Sequence, residues 1–374
     1  MTMIIITIIS LSLAISYLIL ALLVVAGNQG FCNGERNYPF VSVVIAARNE
    51  GDSIAQCLYS LEQQDYPSDK CEFIIINDRS GDKTEERIEN FISHKPNFKL
   101  ISIRDDPQNL TGKANAMKVG IKESKGKIIL STDADCEVPA SWISSMVSCF
   151  DAGTGMVAGF SLPVIDNAFS ALQALDHLFL IGIASGFAGS GIPQSCIGNN
   201  IAFRRTVYDE IDGYDGIGFT ITEDVGLLRK IYEDTDYGIK FTRDNTSLVS
   251  TRAAGNLKEL VKQRMRWLIG GEKAGALIKS VLVLTFIVVI LAMISIVSGI
   301  ITGFSIWEGS ILAIFLGANL AILLRNRHLL NLNTIIRWFL PYQLFFMFYT
   351  VFFGLLFLLG SQRVSWKGKI YNQE

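Results

Sequence analysis

Charge is scarce in this chain. Only 18% of its 374 residues are Asp, Glu, Lys or Arg, against roughly 25% in a typical soluble domain. Acidic and basic residues nearly cancel, leaving a net charge of −2. There is no overall basic field of the kind nucleic acid requires, so no nucleic-acid partner is expected. The six cysteines (Cys32, Cys57, Cys71, Cys136, Cys149, Cys196) form no C-x-x-C pair and stand at no zinc spacing with histidine. They are expected to be reduced, structural thiols. No G-x-G-x-x-G follows the first apolar strand, and no G-x-x-x-x-G-K-[ST] occurs. The dinucleotide fingerprint and the P-loop are therefore excluded.

What the chain has instead is apolar sequence at both ends. Residues 3–25 carry no charge and exceed the ~20 residues that cross a bilayer. A cleaved signal peptide would need a basic start and a shorter apolar core. Residues 1–29 are thus expected to be an uncleaved membrane anchor. Arg36 and Arg48 follow it, which predicts an outside N-terminus and a cytoplasmic domain after it. Residues 281–303, a weaker 310–324 and an aromatic-rich 339–360 are further spans. Four spans put the C-terminal tail outside, yet Arg363, Lys367 and Lys369 favour inside. Either the third segment is re-entrant or the fourth is more than one helix.

Between these ends the pattern is that of an α/β domain. β-branched runs at 40–47, 71–78, 98–103 and 127–132 alternate with helical stretches, as at Ile54, Leu58 and Leu61. That alternation means a parallel, doubly wound sheet. Ligands of such sheets bind beyond the carboxyl ends of the strands. Arg48-Asn49-Glu50, Asn77-Asp78 and Asp133-Ala134-Asp135 each follow a strand directly, so all three can gather at one edge. A D-x-D pair can offer oxygens to Mg2+ or Mn2+ bridging a substrate's phosphates. Cys136 beside it is expected to be pocket wall, since a hard cation prefers oxygen. Asp78 can accept from a base or ribose, and Lys113 can meet a phosphate or base. Glu223-Asp224 opens a helix whose N-terminus stabilises a carboxylate, as a general base requires. The alternative is that Thr222 or these acids serve only as a helix cap.

Residues 257–271, "LKELVKQRMRWLIGG", read as a basic amphipathic helix at a membrane surface. Leu257, Leu260, Val261, Met265 and Leu268 form its apolar stripe, and Lys258, Lys262, Arg264 and Arg266 lie mostly off it. Gln263, Arg266 and Trp267 fall within about one turn. Arginine suits a diphosphate and tryptophan a sugar face.

Taken together, "VSVVIAARNE", "IINDRSGDKT", "GKANAMKVG", "STDADC", "TEDVGL" and "QRMRW" resemble the membrane-integrated family 2 glycosyltransferases. The last fits the Q-x-x-R-W pattern of cellulose, chitin and hyaluronan synthases and of ceramide glucosyltransferase-like enzymes. "CIGNNIAFRR" and "VSWKGKIY" also look like this group. The resemblance implies an α/β GT-A nucleotide-diphosphosugar transferase domain, a doubly wound mixed sheet, plus transmembrane helices. It implies an inverting enzyme that takes a nucleotide-sugar donor, UDP-linked by default, with Mg2+ or Mn2+. Ala47, Asn49, Glu50 and Asp78 would bind the nucleotide-sugar, with Lys113 at the nucleotide. Asp133 and Asp135 would hold the metal and diphosphate, with Gln263 and Arg266 on the diphosphate. Asp224 would be the catalytic base. Gly198, Asn199, Asn200, Glu223 and Trp267 would face the acceptor. Ala47-Arg48 stands where many relatives carry Pro-x-Tyr.

The expected organisation is an anchor (1–29), a cytoplasmic catalytic domain (30–255), an interface helix (256–275) and a membrane region of about three segments with a short tail (276–374). The enzyme is expected in the cell membrane, glycosylating a lipid, lipid-linked or saccharide acceptor. A processive polysaccharide synthase is the alternative within the class. A nucleotidyltransferase would leave the basic helix and Glu223-Asp224 without a role, and a non-enzymatic scaffold would tolerate Asp224→Asn.

Overall fold

A computed structural model describes residues 2–27, 32, 38–105, 112–218, 220–270, 275–359, 363–366 and 369–372. Arg36 and Lys367, which bear on orientation, and Gly271 of the amphipathic stretch lie outside the described residues. The elements run α1 (Thr2–Ala26), β1 (Val41–Ala47), α2 (Ile54–Glu62), β2 (Cys71–Asp78), α3 (Thr84–Ile92), β3 (Phe98–Ile103), α4 (Lys113–Glu123), β4 (Ile128–Ser131), α5 (Trp142–Val147), β5 (Thr154–Ala158), β6 (Ser161–Pro163) and α6 (Ala168–Gly189). They continue with β7 (Ile201–Arg204), α7 (Arg205–Glu210), α8 (Gly213–Ile217), α9 (Glu223–Asp234), β8 (Gly238–Phe241), β9 (Val249–Thr251), α10 (Leu257–Gly270), α11 (Ala276–Thr302), α12 (Ile306–Arg325), α13 (Leu332–Leu358), β10 (Arg363–Trp366) and β11 (Lys369–Asn372).

The chain divides into two compact units, one of Gln29–Val164 with Phe187–Ala253, the other of Met1–Asn28, Ile165–Gly186 and Ala254–Glu374. The first holds a seven-stranded sheet in the order β3-β2-β1-β4-β7-β5-β8. β1 pairs in parallel with β2 and β4, and β2 with β3. β7 runs antiparallel to both β4 and β5, so the sheet is mixed. Burial on both faces explains the unbroken apolar strands: every residue of β1 except Ala46 is buried. Helix α4 lies close against β1. A Cβ added at Gly120 would stand 2.4 Å from Val44 Cγ1, so glycine sets that approach. The parallel half reverses its strand order at β1 and β4, which opens a crevice at their carboxyl ends.

Cys32 and Cys149 are joined by a disulfide. This corrects the expectation of uniformly reduced thiols. The two cysteines lie 117 residues apart and no local motif flags them.

The second unit is helical. Among the described residues, five helices are long and apolar enough to cross a membrane: Ile5–Ala26, Ala168–Gly189, Ala276–Thr302, Ile306–Arg325 and Leu332–Phe357. The third expected span is a full 20-residue helix opened by a Ser305–Glu308 capping box. The fourth begins at Leu332 and continues through Pro341 as one helix. The sequence pattern did not expose α6 as apolar, because Gln173, Asp176 and His177 interrupt its run. Polar side chains tie these helices together. Tyr17 Oη donates to Asn319 Oδ1 at 2.6 Å, and Asn319 Nδ2 donates to Gln343 Oε1 at 2.7 Å. The expected stripe on α10 is also corrected. Leu257 is 65% exposed while Arg264 is 1% exposed. Arg264 turns inward because it pairs with Asp176, not with water.

Candidate active site

Three strand ends meet at the crevice, as their spacing predicts. β1 passes into Ala47, Arg48, Asn49 and Glu50, and Ala47 is itself buried in the strand. Asn49 adopts a left-handed backbone, φ 55°, and so does Arg79 after β2. The two turns lock together: Asn49 N–H donates to Ser80 Oγ (3.0 Å), and Asn49 Oδ1 accepts from Gly81 N–H (2.8 Å). Asp78 is buried at the end of β2. Arg79 Nε bonds its Oδ1 at 2.9 Å, and Arg48 Nη1 stands 3.7 Å from Oδ2. Sequence reasoning passed over Arg79, which holds the Asp78 carboxylate. Its only signal was adjacency to Asp78.

The D-x-D pair follows β4. Asp133, Asp135 and Cys136 bring three possible ligand atoms within 4.8 Å of one another. Burial pushes the Asp135 carboxyl up to about 6, aided by the nearby Asp133 and Glu50 carboxylates. A carboxyl held high by burial and by neighbouring carboxylates is one a cation would relieve. The two carboxylates are oxygen donors suited to Mg2+ or Mn2+. Cys136 stands beside that pair. Its Sγ accepts from Asn199 Nδ2 at 3.4 Å, and burial holds its thiol well above the usual range.

Lys113, the first residue of α4, reaches two carboxylates from different parts of the fold. Its Nζ lies 2.6 Å from Asp133 Oδ1 and 3.2 Å from Glu223 Oε1. Burial alone pulls its pKa down, but these two carboxylates carry it well above the usual lysine range. Lys113 thus joins the D-x-D turn to the start of α9. There Thr222 makes no side-chain cap. Asp224 Oδ1 accepts the N–H of Val225 at 2.9 Å. Burial, then Glu223, pushes Asp224 up to about 6, with Lys113 acting against the rise. A carboxylate poised there can take a proton from a hydroxyl near neutral pH.

The "CIGNN" loop closes against Asp224. A Cβ at Gly198 would lie 2.9 Å from Asp224 Oδ2, so only glycine leaves the carboxylate its place. Asn199 is buried, and its Oδ1 has no hydrogen-bond partner among the described residues. Asn200 differs from its expected part facing an acceptor. Its amide accepts from Trp142 Nε1 (2.9 Å) and donates to the carbonyls of Phe160 (2.7 Å) and Ser247 (2.8 Å). Fully engaged, it holds the loop in place.

Gln263, Arg266 and Trp267 lie on α10 in the helical unit. Gln263 Oε1 is buried without a hydrogen-bond partner among the described residues. The Trp267 ring sits 4.0 Å from the Arg264 guanidinium and 5.5 Å from the His177 ring.

A mixed α/β sheet, with acidic pairs at two element ends and a lysine between them, suits a nucleotide-binding enzyme. Comparison with known proteins agrees. The "Glycosyl transferase family 2" model matches residues 42–212, and "Glycosyl transferase family group 2" matches 128–358. The chain belongs to the family 2 glycosyltransferases. Three curated relatives are similar. "Probable glycosyltransferase YdaM" of Bacillus subtilis is 30% identical, over 63% of this chain and 56% of its own length. Glycosyltransferase AglE of Haloferax volcanii is 26% identical, over 61% and 71%. Poly-β-1,6-N-acetyl-D-glucosamine synthase of Staphylococcus epidermidis is 28% identical, over 62% and 55%. The match thus spans little over half the length of two of these. Among solved structures, a Pyrobaculum calidifontis mannosyltransferase in complex with GDP-mannose and Mn2+ superposes with a TM-score of 0.57 at 17% identity. That likeness covers 87% of this chain and 99% of the other, and it establishes the GT-A fold. The five apolar helices fit membrane integration.

Proposed function

We propose that the protein is an inverting glycosyltransferase that moves a sugar from a nucleotide-diphosphate sugar, UDP-linked in the first instance, to a hydroxyl of a lipid or lipid-linked acceptor. The observation that carries this reading is Asp224, raised to about 6 at a helix start and seated against Gly198. Asp224 takes the proton of the acceptor hydroxyl as its oxygen attacks the anomeric carbon from the face opposite the diphosphate. The carbon–oxygen bond to the diphosphate breaks, and the nucleoside diphosphate leaves with the electron pair. Ala47, Asn49, Glu50 and Asp78 hold the nucleotide-sugar, Arg48 and Arg79 hold Asp78, and Lys113, at the nucleotide, balances the Asp133 and Glu223 carboxylates. Asp133 and Asp135 would hold Mg2+ or Mn2+, which supplies Lewis-acid stabilisation to the leaving diphosphate. Gln263 and Arg266 are assigned to the diphosphate, and Glu223, Gly198, Asn199 and Trp267 to the acceptor. The sheet unit faces the cytoplasm of the cell membrane, where nucleotide-sugars are made.

A second reading is a processive polysaccharide synthase, favoured by the similarity to the Staphylococcus epidermidis synthase. One assay tests both. Purified full-length protein is supplied with UDP-N-acetylglucosamine or GDP-mannose, with Mn2+ or Mg2+, and with a membrane lipid extract. Mass spectrometry reads the products. Single-sugar lipids with an inverted linkage support single transfer, whereas a ladder of long polymer replaces it with the second reading. Full turnover by Asp224→Asn would sink both.

A further inference from the structure

One charged pair in the helical unit takes no part in the chemistry above. Asp176 on α6 and Arg264 on α10 are 0% and 1% exposed, with Oδ2 and Nη2 2.5 Å apart. Tyr342 of α13 donates to the other oxygen of Asp176 at 3.3 Å. Three helices therefore converge on one carboxylate. Removing an ion pair from water is costly, and apolar residues of the same volume often stabilise as well or better. Cohesion alone does not account for it. Its geometry indicates another use. Arg264 and Trp267 are three residues apart on α10, hence on one face. The central carbon of the guanidinium stands over the indole, 4.0 Å from its centroid. Its Nε and Nη1 make no hydrogen bond among the described residues; Asp176, the indole face and, farther off at 5.8 Å, the Tyr349 ring surround it. His177, the next residue after Asp176, brings its ring to 5.5 Å from the same indole. Two successive residues of α6 thus lie against the Arg264–Trp267 pair, Asp176 on the guanidinium and His177 beside the indole.

We infer that Asp176 and Arg264 are positioning residues for Trp267. Asp176 fixes the guanidinium, the guanidinium and His177 fix the indole, and the indole presents its remaining face to the acceptor sugar. The last link rests on the assignment of Trp267 to the acceptor; the first two do not.

The test separates them. Full-length protein carrying 5-fluorotryptophan gives one fluorine resonance per tryptophan, and Trp267→Phe identifies that of Trp267. Arg264→Lys keeps the charge but loses the planar stack. It is expected to shift or broaden the Trp267 resonance and leave that of buried Trp142 in place. Asp176→Asn should do the same, and it replaces Arg264→Lys if that variant does not fold. In the lipid-extract assay, the ratio of sugar transferred to lipid over sugar released to water should fall about tenfold in Arg264→Lys, as in Trp267→Phe. A loss of folding would lower both products together and keep their ratio. An unmoved Trp267 resonance in both variants overturns the inference. A moved resonance with an unchanged ratio in Arg264→Lys and Trp267→Phe alike overturns the acceptor link and the assignment of Trp267. An unchanged ratio in Arg264→Lys alone overturns only the role of the pair.

Discussion

Burial and the Glu223 carboxylate hold Asp224 up to about 6, and this has two opposite consequences. As a base Asp224 must be ionised, so kcat/KM should rise with pH and level off above about 6. A profile flat from pH 5 to 8 would contradict that role. Stability runs the other way. The folded pKa lies above the unfolded value of 3.8, so the folded state binds more protons between about pH 4 and 6. Stability conferred by the neutral form is present below 4 and is lost as pH rises through 6. Asp224→Asn should therefore lose about a thousandfold or more in turnover while melting a few degrees higher at pH 7. Gly198→Ala should cut turnover with donor KM nearly kept, because its methyl meets Asp224 Oδ2. Much at this scale was legible. Asp78 ends a strand, Asp133 and Asp135 follow one, and Asp224 lies in the first turn of a helix, and the chain pattern marks such positions. The contact between Lys113 and Glu223 was not legible, because it joins residues 110 positions apart. Nor was the engagement of Asn200, whose partners come from three separate segments.

Among the elements, the parallel strands were plain in the sequence, because burial on both faces leaves an apolar run. The antiparallel β7 was not: four residues, Ile201–Arg204, carry no sign of direction. Helix α10 shows the limit of periodicity. Its pattern placed Arg264 outward, but a carboxylate on α6 reversed that. Polar residues in apolar helices deserve the same care, since they pair with one another across the bundle. Asn319 is fully buried between Tyr17 and Gln343. Asn319→Leu should leave both without partners and lower stability in detergent by about 1–2 kcal/mol, read as a fall in melting temperature. Tyr17→Phe in that background should recover part of the loss, having one fewer unpaired group.

For the molecule as a whole, the disulfide bears on the side of the membrane that the sheet unit occupies. Disulfides persist mainly in oxidising compartments, whereas the sugar donors proposed here belong to the cytoplasm. Protease protection of the sheet unit in sealed vesicles of known orientation decides the matter. Degradation from the cytoplasmic side supports the proposed orientation, and protection from it overturns that orientation. Cys149→Ser should lower stability by about 2–5 kcal/mol, most visibly in chemical unfolding without reductant. The Cys32–Cys149 bond has one more consequence, which concerns cutting rather than folding. It turns the segment from the entry of β1 to the end of α5 into a covalent ring, and that ring contains Asp78, Lys113, Asp133 and Asp135. A single peptide break anywhere inside it opens the ring without releasing a fragment. The nicked protein should run as one band before reduction and as two after it.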